Sequence, residues 1–368
     1  MVHAHRVHRR VVDRTPYLRL DLGESSGPAS PHVMAAIRDL SEPELSRYPD
    51  TRPLEELLAE LHGVSTEQIL VTAGSDEAIR QVFNAYVDEG ARVVIPRPTF
   101  GAFVTAADVG GAYAGRVDCE DDLSLDPEAF RRALGRGTPR LAVLSLPDAP
   151  TGTAMATQDV LDLAQGAPET LFLINETFAS YCGRTLLGGD PLPPNVVVLR
   201  SFSKDHGLAG LRVGYLVGHP DVLDAVDLVR PSYTVSAGAL AGACAAVRDP
   251  DAMRRHVLGV RSAMDRLVSK LRIRGIEAKA TSANFVLIKL SSPVQPWAAG
   301  FAARGVLVGT AGHVGPMAEF VRVTVNDDHE IDTFLDALDL LLLHGLQGAK
   351  QVKGVPGDWE QPESEGLA

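Results

Sequence analysis

The feature that most constrains this chain is a series of short, unbroken apolar runs separated by helix-length segments. Residues 68–72, 92–95, 141–145, 171–174 and 196–199 each read as a buried strand. Parallel strands are covered on both faces, so they lack the alternation of a sheet with one wet side. The segments between them carry helical spacing. Ile79, Val82, Phe83 and Tyr86 recur at steps of three and four, which lines one face of a helix. Residues 53–62, 126–134 and 158–165 read the same way, with Asp126 as an N-cap ahead of Pro127. Alternating strands and helices predict an α/β fold on a mostly parallel, doubly wound sheet.

The pattern changes near residue 250. A long helical stretch covers 253–271, three short strands fall at 283–289, 305–308 and 319–325, and a last helix covers 330–343. That sequence of elements predicts a smaller α+β domain. The expected organisation is an N-terminal arm with part of the small domain at 1–45, a large domain at 46–248 and the C-terminal small domain at 249–346. Residues 347–368 carry Lys, Gly, Pro, Glu and Asp with few apolar side chains and read as a disordered tail.

Composition narrows the partners. Hydrophobic residues make up 45%, charged residues 22%, and the net charge is −12, so nothing supplies the basic face a nucleic acid needs. No run approaches the ~20 apolar residues of a membrane span, and the His- and Arg-rich first ten residues lack the apolar core of a secretory signal. Cys119, Cys182 and Cys244 are odd in number and far apart. They argue against a disulfide framework or a metal site and fit a cytoplasmic protein.

Two segments carry chemistry. Gly74-Ser75-Asp76-Glu77 lies between a strand and an amphipathic helix, where free backbone N–H groups and the helix dipole favour an anion. Residues 201–215, read as Ser-Phe-Ser-Lys-Asp-His-Gly-Leu-Ala-Gly-Leu-Arg-Val-Gly-Tyr, follow the strand at 196–199. Ser201, Ser203, Lys204 and Arg212 bring two hydroxyls, an amine and a guanidinium to one loop. A phosphate needs such donors, and a Schiff base needs one lysine of lowered pKa in a partly desolvated place.

Residues 201–215 resemble the lysine loop of the class I/II aminotransferases that use pyridoxal 5′-phosphate, nearest the histidinol-phosphate aminotransferase-like branch. Tyr48-Pro-Asp50, Gly74 to Glu77, Pro98-Thr-Phe100, Ala149-Pro-Thr-Gly152, Asn175-Glu-Thr-Phe178, Ala283-Asn-Phe285 and Val321-Arg-Val-Thr324 are similar to further motifs of that family, in order, over about 17–345. The resemblance implies that Lys204 carries the cofactor as a Schiff base and moves the substrate proton. Ser201, Ser203, Arg212 and the amides of Ser75 and Asp76 would hold the phosphate. Phe100 would stack on the ring, and Arg322 would clamp a substrate carboxylate. Tyr48 would reach a neighbouring subunit's cofactor, so a homodimer is expected.

Three ring contacts of the family are changed. Where it has an aspartate against the pyridine nitrogen, this chain has Asn175, which has no charge to offer but can donate a hydrogen bond. Its two donors to the phenolic oxygen read here as Ala149 and Phe178. Asp148 and Tyr181 are nearby candidates to replace them, and His206 is a candidate extra acid or base. An arginine of the branch is replaced by Gly309, which argues against histidinol phosphate as substrate. The expected function is a PLP enzyme acting on an amino acid or amine, nominally an aminotransferase. The alternatives are a lyase, decarboxylase or oxidase with altered ring electronics, or a silent PLP-binding homologue.

Overall fold

A computed structural model describes residues 13–27, 29–290, 293–310 and 315–346. These residues form twelve strands: β1 (Leu18–Leu20), β2 (Ile69–Thr72), β3 (Arg92–Arg97), β4 (Tyr113–Asp118), β5 (Leu141–Ser145), β6 (Leu171–Asn175), β7 (Val196–Ser201), β8 (Gly214–Val217), β9 (Ala278–Ala280), β10 (Phe285–Lys289), β11 (Val306–Thr310) and β12 (Phe320–Thr324).

Seven of them build one sheet in the order β2-β8-β7-β6-β5-β3-β4. The pairs from β4 to β7 are parallel, while β8 runs antiparallel to both β7 and β2. Every residue of β2, β5 and β6 is buried, which explains their unbroken apolar sequence. Alternate residues feed two separate cores. Ala142, Leu144, Phe172 and Ile174 join one. Val143, Leu171, Leu173 and Leu199 join the other.

The remaining five strands form a second sheet, β1-β11-β12-β10-β9, with its own core around Phe285, Phe301 and Phe334. The 24-residue helix Pro250–Ile273 packs on it, capped by Asp249, whose carboxylate accepts from the Ala252 N–H. β1 is thus drawn from the N-terminal arm into the second sheet, 288 positions before its partner residue, in the register Leu18 to Val306.

Four strands fall outside those that the sequence pattern predicts, β1, β4, β8 and β9. β4 escaped notice because its pattern is mixed, with Gly115 and Arg116 at its centre. β8 escaped because its first two residues, Gly214 and Tyr215, fall within the stretch read as the lysine loop. The tail at 347–368 lies outside the described residues. Among those described, no helix is long and apolar enough to cross a membrane, and no group of metal-ligating side chains gathers.

Candidate active site

The carboxyl ends of β3, β5, β6 and β7 open on a cleft of about 350 Å³, the usual place for a ligand in such a sheet. The second sheet closes its other wall. Arg322 comes from β12, Thr310 from the end of β11, and Leu22 and Glu24 from the segment after β1.

Lys204 follows β7 and projects into this cleft. Its Nζ donates to the Leu22 carbonyl at 2.5 Å and lies 5.9 Å from the Phe178 ring centroid. Burial, and then the positive charge of Arg322, lowers its pKa from 10.5 to about 8. A buried amine gives up its proton more readily because the charged form loses water.

One part of the cleft is built for an anion. The helix Ser75–Tyr86 starts at Gly74, at φ 83°, without a side-chain cap, so its first N–H groups remain available. A Cβ on Gly74 would meet the Arg212 guanidinium at 2.9 Å. Arg212 itself holds a left-handed φ of 54°, uncommon without glycine, and donates to Asp76 Oδ2 at 3.3 Å. Ser75, Asp76, Ser203 and Arg212 all line the cleft. Ser201 does not reach its wall. It is buried, and its hydroxyl accepts from the Ser203 N–H at 3.2 Å.

Phe100 forms another wall and meets Phe103 edge-on. Beside it, Thr99 Oγ1 is sealed from solvent with no hydrogen-bond partner, an orphan that a ligand would satisfy. Asn175, Ala149 and Phe178 also line the cleft, and all three are buried. Arg322 donates to the Asp21 carbonyl at 2.6 Å and lies over the Phe285 ring at 5.4 Å. Burial lowers its pKa, against the pull of Asp21 and Asp148. β12 is an inner strand of its sheet, so Arg322 is not part of a surface ion pair on an edge.

Four residues singled out by sequence lie elsewhere. Tyr48 is 78% exposed and stacks on Tyr233 with centroids 4.3 Å apart. The Tyr181 hydroxyl points behind the lysine loop, donating to the Lys204 carbonyl at 3.2 Å and meeting His256 Nε2 at 3.1 Å. It does not supply the hydroxyl donor that Phe178 lacks. Asp148 turns into a small adjoining cavity, where its Oδ2 accepts from the Thr151 hydroxyl at 2.9 Å. His206 lines a third cavity and packs on Phe202.

Sequence reasoning passed over Thr99, Thr177 and Glu24, which share the cleft. Thr99 and Thr177 stood inside motifs already singled out, so membership of those motifs was the available signal. The Leu22 carbonyl had none, because it lies 182 residues from Lys204 in the chain.

A reactive amine, an anion cradle and an aromatic wall in one cleft fit a phosphate-bearing aldehyde cofactor. Comparisons with known proteins agree. The family model "Aminotransferase class I and II" matches residues 15–338. The chain is 33% identical over 345 residues to histidinol-phosphate aminotransferase 2 of Pseudomonas fluorescens, covering 91% of this chain and 92% of that protein. It is 30% identical over 334 residues to histidinol-phosphate aminotransferase of Gluconacetobacter diazotrophicus, covering 89% and 92%. The crystal structure of histidinol-phosphate aminotransferase from Sinorhizobium meliloti in complex with pyridoxal 5′-phosphate superposes with a TM-score of 0.83 at 27% identity, covering 89% of this chain and 91% of that one. The chain belongs to the aminotransferase class I and II family, enzymes whose cofactor is pyridoxal 5′-phosphate.

Proposed function

We propose that this protein transfers the amino group of an amino acid or related amine, with Lys204 as the side chain that holds the cofactor covalently. One observation carries the reading. A single cleft gathers Lys204, an uncapped helix N-terminus with Arg212, and the buried guanidinium of Arg322 from three separate parts of the chain. Ser75, Asp76, Ser203 and Arg212, with Ser201 behind them, would hold the phosphate. Phe100 would lie against the ring, and Asn175 and Phe178 beside it.

When bound, the cofactor supplies an electron-accepting ring that makes bond breaking at the substrate α-carbon feasible. The protein's own groups do the rest. Lys204, with its pKa near 8, is in part a neutral amine at neutral pH, so it can attack a carbonyl and later carry a proton. Its bond to the Leu22 carbonyl orients Nζ within the cleft. Arg322, steadied by the Asp21 carbonyl, turns its remaining N–H groups to a carboxylate. Phe100, Pro147, Ala149 and Phe178 keep water from the reacting atoms.

The relatives named for histidinol phosphate do not fix the substrate here. Gly309 stands where their branch carries an arginine, so the cleft has one guanidinium fewer for a substrate phosphate. The separate sheets and cores support a boundary at 248/249, where Asp249 caps the long helix. The exposed Tyr48–Tyr233 stack supports a homodimer in which Tyr48 completes the partner's site.

The test is the visible spectrum of purified protein with the cofactor, before and after borohydride, with mass spectrometry to locate the adduct. We expect a yellow species trapped on Lys204 and its conversion to the amine form of the cofactor by an amino donor. An adduct elsewhere, or no response to any amino donor, would refute the reading. A strict monomer that still binds the cofactor would refute the role of Tyr48.

A further inference from the structure

Asn175 ends β6 with its side chain in the cleft wall. Its Oδ1 takes two hydrogen bonds from Thr177, one from the backbone N–H at 3.1 Å and one from the hydroxyl at 2.6 Å. A backbone N–H can only donate, so the atom facing it must be the oxygen. The reversed amide would set its NH2 against that N–H. The orientation of the Asn175 amide is therefore dictated by its neighbour.

The consequence falls on the other end of the amide. Nδ2 is turned away from Thr177, and no described residue takes its hydrogens. Asn175 and Thr177 are both buried and both line the cleft. Glu176 does not compete for this place. Its carboxylate turns to the Thr185 hydroxyl and the Leu186 N–H, each at 2.6 Å, and to Arg200 at 3.0 Å. The family position carries an aspartate, which would offer an acceptor here. This chain offers a fixed donor.

The surroundings add no charge to offset that. Ala149 and Phe178 have no polar side-chain atom. The carboxylates that line the cleft are both paired, Glu24 with Arg14 at 2.8 Å and Asp76 with Arg212 at 3.3 Å. Asp148 is turned into the adjoining cavity. The cations of the cleft, Lys204, Arg212 and Arg322, each disfavour a further positive charge.

We propose that Thr177 is a positioning residue that locks the Asn175 amide with its NH2 toward the cofactor, so that the ring nitrogen is held as an unprotonated acceptor. This rests on the reading of the Lys204 cleft as the cofactor site. It deepens that reading, because a neutral ring withdraws fewer electrons from the substrate α-carbon. The enzyme then suits substrates whose own structure helps to stabilise the developing negative charge.

The experiment uses the full chain loaded with cofactor carrying ¹⁵N in the ring, and reads the nitrogen resonance. The wild type should show an unprotonated nitrogen at neutral pH, and Asn175→Asp a protonated one. Thr177→Val keeps the shape but removes the shorter bond. It should broaden the resonance and weaken cofactor retention by about fivefold, the usual effect of one hydrogen bond, and Thr177→Ser should restore both. A protonated nitrogen in the wild type overturns the inference alone. A Thr177→Val protein identical to wild type in resonance and retention overturns the lock. Failure of the wild type to bind cofactor overturns the reading of the cleft, and this inference with it.

Discussion

Gly309 lies directly across from Arg322 in the antiparallel pair of β11 and β12, and a Cβ there would stand 3.0 Å from Arg322 Nε and 3.0 Å from the Asp21 carbonyl. The absence of a side chain at 309 is thus what lets Arg322 lie flat and reach Asp21. The glycine and the guanidinium form one arrangement across the two strands. Gly309→Ala should push the guanidinium off its place. Steady-state kinetics should show KM for the amino donor raised about tenfold, equivalent to ~1.4 kcal/mol, with kcat less affected. An unchanged KM would remove Arg322 from the carboxylate role.

The amine of Lys204 should titrate early. In cofactor-free protein, the rate of forming a borohydride-trappable adduct should rise with pH around a midpoint near 8 instead of 10.5. The stability effect has a definite sign. Between about 8 and 10.5 the unfolded chain binds the proton that the folded chain has shed, so stability rises with pH there. Cofactor-free Lys204→Met should therefore be the more stable protein below pH 8, by a ceiling of ~3 kcal/mol. The two proteins should converge above 10.5.

Asp148 works in the opposite sense. Its Oδ1 is sealed without a partner, and burial raises its pKa from 3.8 to about 7. The folded protein keeps a proton that the unfolded chain has lost, so stability falls as pH climbs from 3.8 to about 7. Asn at this position can still accept from Thr151. Asp148→Asn should match wild type at the acid end and exceed it above neutrality, by a ceiling on the order of 4 kcal/mol. Denaturant unfolding at the two extremes would show it, and equal stability at high pH would mean the carboxylate is better solvated than its position implies.

Tyr181 braces the lysine loop from behind. Tyr181→Phe removes the donor to the Lys204 carbonyl and the partner of His256 Nε2. The expected loss is ~1–2 kcal/mol, measured by thermal or denaturant unfolding of the cofactor-free protein. The borohydride adduct should stay on Lys204. Unchanged stability would show that the loop is held without this bond.

Much of this protein was legible in its sequence. The apolar runs at 141–145 and 171–174 gave a buried parallel sheet, because strands covered on both faces admit few polar side chains. The run at 69–72 is a buried strand whose one neighbour, β8, is antiparallel to it. The lysine loop and the Asn175 motif identified the chemistry, because short segments at strand ends carry the reactive groups. β4 and β8 were less legible. The first lies at the edge of the sheet, where polar residues are tolerated, and the second is only four residues long.

The relations that shape the reaction were not legible. Tyr181 follows Phe178 by three residues and its ring lies 6.4 Å away, yet Phe178 lines the cleft while the Tyr181 hydroxyl turns to the Lys204 carbonyl. Gly309 and Arg322 meet only when two strands pair, and Lys204 finds its acceptor 182 residues away. The sequence by itself determined which chemical groups exist and which elements carry them, since local pattern and motif are properties of neighbouring residues. Folding across the chain decided what stands opposite Gly309, where the Tyr181 hydroxyl is spent and how Arg322 is held, since each depends on contacts between residues far apart in sequence.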